Sequence, residues 1–187
     1  MVAPSPLALE RRAFQEVRQM GRRLEGYAAK FDSEAVIGSY RETVARGAFA
    51  ASLAQPLGGD VLALMDHSPL IVLGRTKSGT LRLSEDSTGL AFSLDLPDTG
   101  AGRDVLTLAE RGDLGGMSFG FTVPDGGEAW RGDLRTLNAI ILREISIVSA
   151  WPAYPETELA VRARNGGNAE RQRRERRLAM AELGIWA

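Results

Sequence analysis

Between Asp60 and Leu96 the chain is a succession of short apolar runs cut by turn residues, and that succession limits the folds open to it. Residues 60–65, 71–75, 81–83 and 90–96 are each bounded by Gly, Ser, Thr or Asp, the pattern of short strands joined by tight turns. Thr80-Leu81-Arg82-Leu83-Ser84 alternates with period two, so one face is buried and the other wet. Further strands are expected over residues 24–31 and 117–123, and residues 137–149 read as one long bent strand or a strand pair, ended by Pro152 and Pro155. Helices are expected at 45–53, with Phe49 and Leu53 on one face, and at 103–111, stopped by Gly112. The Gly-rich, polar residues 125–133 read as a hairpin or loop. No regular βαβ rhythm is present, which argues against a doubly wound sheet. The fold class is mainly β with helices (α+β), a strand-rich barrel or sandwich with attached helices.

The 187 residues fall into three parts. Residues 1–23 read as an N-terminal arm or short helix, with Leu9, Phe14, Val17 and Met20 as a loose apolar stripe. Residues 24–164 form the globular domain. After Arg164, Asn165-Gly166-Gly167-Asn168 is a linker to a charged C-terminal helix or tail, residues 165–187 in all, in which Arg171, Arg173, Arg174, Arg176 and Arg177 crowd together. That run reads as a solvated helix face or a protein-docking arm rather than a nucleic-acid site. The net charge of −1 creates no global field toward nucleic acid or membrane. No leader pattern is read at the N-terminus and no apolar run approaches the ~18 residues of a membrane span, so a soluble intracellular chain is expected.

Chemistry near neutral pH has few possible carriers here. There is no cysteine, hence no thiolate and no Cys-ligated metal, and only two lysines, Lys30 and Lys77. The single histidine, His67, follows an apolar run in Leu64-Met65-Asp66-His67-Ser68, and an imidazole is a suitable base for a serine hydroxyl. Ser118 lies in Gly115-Gly116-Met117-Ser118-Phe119-Gly120-Phe121, whose glycines let backbone approach and offer N–H groups to a substrate. The spacing differs from the Gly-x-Ser-x-Gly elbow of the α/β-hydrolases. Read singly, each of the two is more often a structural residue than a functional one. A third group to orient the imidazole is offered by Glu144, a carboxylate inside the apolar run 142–148 that needs a partner if buried. A salt bridge, for instance to Arg135, is its structural alternative, and Asp66 is its rival for the imidazole. No metal site, phosphate loop or cofactor is expected.

The order of these pieces resembles the prohead (capsid-maturation) serine proteases of tailed bacteriophages, relatives of the herpesvirus assemblins. The resemblance rests on Gly26-Tyr27-Ala28-Ala29-Lys30-Phe31, Gly47-Ala48-Phe49, Asp66-His67, Leu73-Gly74-Arg75-Thr76, Gly116-Met117-Ser118-Phe119-Gly120-Phe121 and Arg143-Glu144-Ile145-Ser146-Ile147-Val148. It covers residues 24–162. The chain departs from the family pattern at Ser68, where an aspartate is common, and at Phe119, where isoleucine is. The resemblance implies an assemblin-like closed or partly open β-barrel surrounded by helices. It implies a serine endopeptidase with Ser118 as nucleophile, His67 as base and Glu144 as third member. Its substrates would be scaffold and the N-terminal scaffolding segment of the major capsid protein, with self-cleavage. Work inside the immature capsid in the host cytoplasm and a homo-oligomeric state are further expectations. The competing reading is a catalytically inactive capsid-assembly module of the same fold.

Overall fold

The computed structural model describes residues 9–14, 17–54 and 59–149. Along the chain run β1 (Glu10–Phe14), β2 (Val17–Met20), β3 (Arg23–Lys30), β4 (Ala35–Ile37), β5 (Tyr40–Val44), α1 (Ala50–Leu53), β6 (Leu62–Met65), β7 (Ser68–Arg75), β8 (Leu81–Glu85), β9 (Gly89–Asp95), α2 (Gly100–Arg111), β10 (Gly116–Thr122), β11 (Glu128–Arg131), β12 (Leu134–Leu137) and β13 (Ile141–Val148). They form three sheets, ordered β1-β10-β13-β6-β7, β11-β12-β5-β4 and β2-β3-β9-β8.

The mainly-β expectation holds, with three corrections. Among the described residues no closed barrel forms. Each sheet keeps two edge strands and buries its apolar face against the others, so that one cluster containing Leu24, Phe92, Leu94, Phe49, Phe119, Leu137 and Ile147 joins all three. Among the described residues there are two helices, and α1 is a single turn rather than the nine-residue segment expected at 45–53. Finally, residues 10–14 and 17–20 are strands inside two different sheets, not a helix or arm. The expected linker and Arg-rich helix at 165–187 lie outside the described residues.

The remaining expectations map with small shifts. Residues 125–133 supply one strand of the β11–β12 hairpin, and 137–149 is the end of β12 plus β13, with a break at Asn138-Ala139-Ile140. The α2 helix begins at an N-cap, Thr99, whose hydroxyl accepts the Gly102 N–H at 3.2 Å, and ends at Gly112 in the left-handed conformation (φ 74°). It rests on β2 and β7.

The strands β10 and β13 lie next to each other in the interior of the five-stranded sheet, and sequence explains why. In Gly116-Met117-Ser118-Phe119-Gly120-Phe121 small and large residues alternate, and successive side chains of a strand point to opposite faces. Met117, Phe119 and Phe121 enter the core, where Phe119 stacks on Phe121 (5.2 Å between ring centres) and meets Phe49 edge-on (5.8 Å). Burying each such ring contributes about 1.5–3 kcal/mol. Phe49 is itself fixed by Glu85 of β8, whose carboxylate accepts the backbone N–H groups of Gly47 and Phe49. The opposite face of β10 carries Gly116, Ser118 and Gly120, and this small-residue face holds the site.

Candidate active site

The imidazole stands on a hairpin tip. Met65 of β6 pairs with Ser68 of β7, leaving Asp66 and His67 as a two-residue turn, and both have positive φ (47° and 60°). Turns of this hand match the twist of paired strands, but non-glycine residues occupy them at a cost of about 1–3 kcal/mol. The end of β13 holds the tip in place. Asp66 N–H donates to the Ile147 carbonyl (2.9 Å), while its carboxylate accepts from Ser149 N–H (2.8 Å) and Ser149 Oγ (2.7 Å). Asp66 is therefore engaged with the backbone it anchors and does not compete for the imidazole.

The partner of His67 is Glu144: Nδ1 lies 2.8 Å from Glu144 Oε1. The same oxygen accepts from Arg11 Nε at 3.0 Å, and Oε2 accepts from Ser146 Oγ. Burial disfavours ionisation of this carboxyl, but the bonds from His67, Ser146 and Arg11 outweigh it and hold the group below its ordinary value. An ionised carboxylate only accepts, so Nδ1 carries the proton, and in the neutral ring Nε2 presents its lone pair. Among the described residues, His67 Nε2 and Ser118 Oγ are buried without a hydrogen-bond partner.

Register brings Ser118 to the same surface. It pairs directly with Ser146, whose hydroxyl holds Glu144, and Gly120 pairs with Glu144. Directly paired residues of neighbouring strands share a face, so Ser118, Gly120, Ser146 and Glu144 lie together. The glycines were expected to offer N–H donors to a substrate. The Gly115 N–H donates to the Val148 carbonyl, and Gly120 lies between β1 and β13 within the ladder. Gly120 has a different use: a Cβ there would stand 2.5 Å from Glu144 Oε1 and 2.8 Å from its Cγ, so only glycine lets the carboxylate lie over the strand.

Of the three residues expected from the sequence, the structure bonds His67 to Glu144 and sets Ser118 on the same sheet face as Glu144, and it adds Arg11, which was not expected. The sequence also offered Arg135 as a partner for Glu144. The structure places Arg135 on the other side of the sheet, fully buried among Glu10, Glu42 and Glu128. Arg11 gave no signal, because a pair of arginines near a chain start looks like solvated surface.

Comparison with solved structures shows the class of fold: the chain is similar to the bacteriophage T4 capsid assembly protease, gp21, at a TM-score of 0.54 and 8% identity, over 76% of this chain and 98% of that one. A family model described as caudovirus prohead serine protease matches residues 8–172, and the chain belongs to that family of phage capsid-maturation proteases. No curated protein matches it. No helix among the described residues is long and apolar enough to cross a membrane.

Proposed function

We propose that Ser118, His67 and Glu144 are the catalytic triad of this serine protease. We further propose that it cleaves scaffold and the N-terminal scaffolding segment of the major capsid protein within an immature capsid, and cuts itself. The observation that carries the triad is the polarity of the imidazole: Nδ1 is bound to an ionised carboxylate, while Nε2 and the Ser118 hydroxyl are left buried and unpartnered. Family membership and the similarity to a capsid assembly protease support the substrate class.

In this mechanism Nε2 takes the Ser118 proton as Oγ bonds to the scissile carbonyl carbon. Glu144 stabilises the imidazolium that forms. The carbon–nitrogen bond then breaks, and the departing amine takes the proton from Nε2. A water molecule, deprotonated by the same nitrogen, releases the acyl group from Ser118 and restores the hydroxyl.

The test is labelling with a fluorophosphonate probe, followed by peptide mass spectrometry. The adduct is expected on Ser118 and is expected to disappear in His67→Ala. An adduct on another serine, or none in a preparation that cleaves capsid protein, would overturn the assignment. For the substrate, the N-terminus of the major capsid protein is expected to be trimmed in particles made with this protein and intact in particles made with Ser118→Ala.

Gly120→Ala tests the carboxylate independently. The added methyl group must push Glu144 away from His67, and a displacement of about 1 Å can cost roughly 10²-fold in rate. We expect kcat to fall about a hundredfold while the melting temperature moves by only a few degrees. Wild-type turnover in this variant would show that Glu144 is not needed where it lies.

A further inference from the structure

We infer that Arg11, on the edge strand β1, is a positioning residue for this site: its guanidinium reaches across β10 to hold the Glu144 carboxylate against His67. The inference rests on the triad proposed above.

Three observations converge on it. Arg11, Gly120 and Glu144 are consecutive partners across β1, β10 and β13, so their side-chain positions form one lane over two inter-strand spacings of about 4.8 Å each. The middle position is the glycine that leaves the lane open. Arg11 Nε meets Oε1 at 3.0 Å, the oxygen that also receives His67 Nδ1, while Ser146 holds Oε2. With three donors on two oxygens the carboxylate cannot rotate without losing one of them.

The strand that presents Arg11 is fixed from its other face. Glu10 and Arg12 point away from Arg11 and are buried with Glu42 and Arg135, Arg12 bonding Glu42 at 2.5 and 2.7 Å and Arg135 bonding Glu10 at 2.5 and 2.8 Å. Arg11 itself is about one-third exposed (36%), so solvent reduces but does not cancel its charge.

Two effects follow from this placement, one geometric and one electrostatic. The carboxylate keeps the angle that orients the imidazole. The cation also places a positive charge on the same carboxylate oxygen that His67 Nδ1 binds. The charged groups set against the imidazole are Glu144 from β13, Arg11 acting through Glu144 from β1, and Asp66 on the turn itself, whose carboxylate is tied to Ser149. Ser118 and Ser146 are the uncharged hydroxyls of the same face.

Because His67 is the only histidine, its ring resonances can be followed by NMR without assignment ambiguity. The full chain is compared as Ser118→Ala and as Ser118→Ala with Arg11→Gln, which needs no activity. The midpoint of the His67 titration is expected to rise by roughly half a pH unit in the second. With Ser118 present, Arg11→Gln is expected to lower kcat about tenfold at unchanged KM, and to move the acid limb of the pH–rate profile upward by the same amount. Arg11→Lys restores the cation, and is expected to return the midpoint to its original position.

An unmoved midpoint in folded Arg11→Gln overturns the inference, as does a midpoint that Arg11→Lys fails to restore. A merely structural arginine would lower the melting temperature and leave the midpoint where it was. Failure of the underlying triad is read separately, as absence of the fluorophosphonate adduct on Ser118 when Arg11 is intact.

Discussion

Ser118→Ala is expected to bring peptide-bond cleavage down to background, a loss on the order of 10⁶ in kcat, with a melting temperature equal to or above that of the wild type. The first half follows from removing the atom that attacks in the proposed mechanism. The second follows from its surroundings: Ser118 is fully buried and its hydroxyl has no partner among the described residues. A buried, unsatisfied hydroxyl costs about 1–3 kcal/mol, and alanine removes that cost while leaving the strand geometry alone. Site residues that trade stability for activity show this combination.

His67→Ala is expected to be as severe, and the double variant no worse, because the proposed mechanism makes the two one unit. Glu144→Gln should cost about 10³–10⁴. An amide in that place offers one oxygen to three donors, Arg11, His67 and Ser146. If its NH₂ faces Nδ1, the ring takes the tautomer that aims a proton at Ser118 instead of a lone pair. Steady-state kinetics on a peptide spanning a capsid cleavage site, with melting curves of each variant, distinguishes these outcomes. Turnover of Glu144→Gln within tenfold of wild type would remove Glu144 from the mechanism.

The site was legible where its signal was local. In β10 the alternation of Gly116, Ser118 and Gly120 with Met117, Phe119 and Phe121 is a period-two pattern in the sequence itself. Glu144 stood out because a carboxylate breaks the run Leu142–Val148, and a charge between core residues needs an answer. The two-residue hairpin at Asp66-His67 was less visible, since neither residue is the glycine or asparagine that left-handed turns prefer. The opening strands were misread altogether. Glu10, Arg11 and Arg12 look like a solvated stretch because the sequence places their partners 30 to 133 positions away, at Glu42, Arg135 and Glu144. Tyr40-Arg41-Glu42-Thr43-Val44 hides its strand for the same reason: Glu42 is buried only because two arginines meet it. Charge that pays for its own burial through distant contacts leaves no periodic trace. No closed barrel forms among the described residues, whose strands lie in three sheets with exposed edge strands such as β7 and β11.

Those same buried charges carry the largest expected effect on stability. Arg135→Ala should destabilise the protein by about 3–5 kcal/mol, which in a chain of this size lowers the melting temperature by roughly 10 °C or more. Arg135 is fully buried, and bonds Glu128 at 2.6 Å, Glu10 at 2.5 and 2.8 Å, and Glu42 at 2.9 Å. Its removal leaves three carboxylates around one remaining cation, Arg12, and an unpaired buried charge costs far more than the intact pair contributes. Arg135→Lys should recover little, because a single ammonium cannot reproduce a planar fork shared among three acids. Burial opposes ionisation of Glu10, but the bond from Arg135 and the nearby charges of Arg12 and Arg135 hold its carboxyl below the ordinary value. A depressed carboxyl contributes stability that is complete above its unfolded value of about 4.3 and is lost as pH falls through the lower folded value. The wild type should therefore lose stability steeply below about pH 4, and Arg135→Ala should show a weaker acid dependence from a lower starting point. Urea melts at pH 7 and about pH 3, made in the Ser118→Ala background, measure both. A loss under 1 kcal/mol at pH 7 would mean that β1 is held by its backbone ladder with β10 rather than by this cluster. In that event Arg11 would keep its place over Gly120 without help from the opposite face.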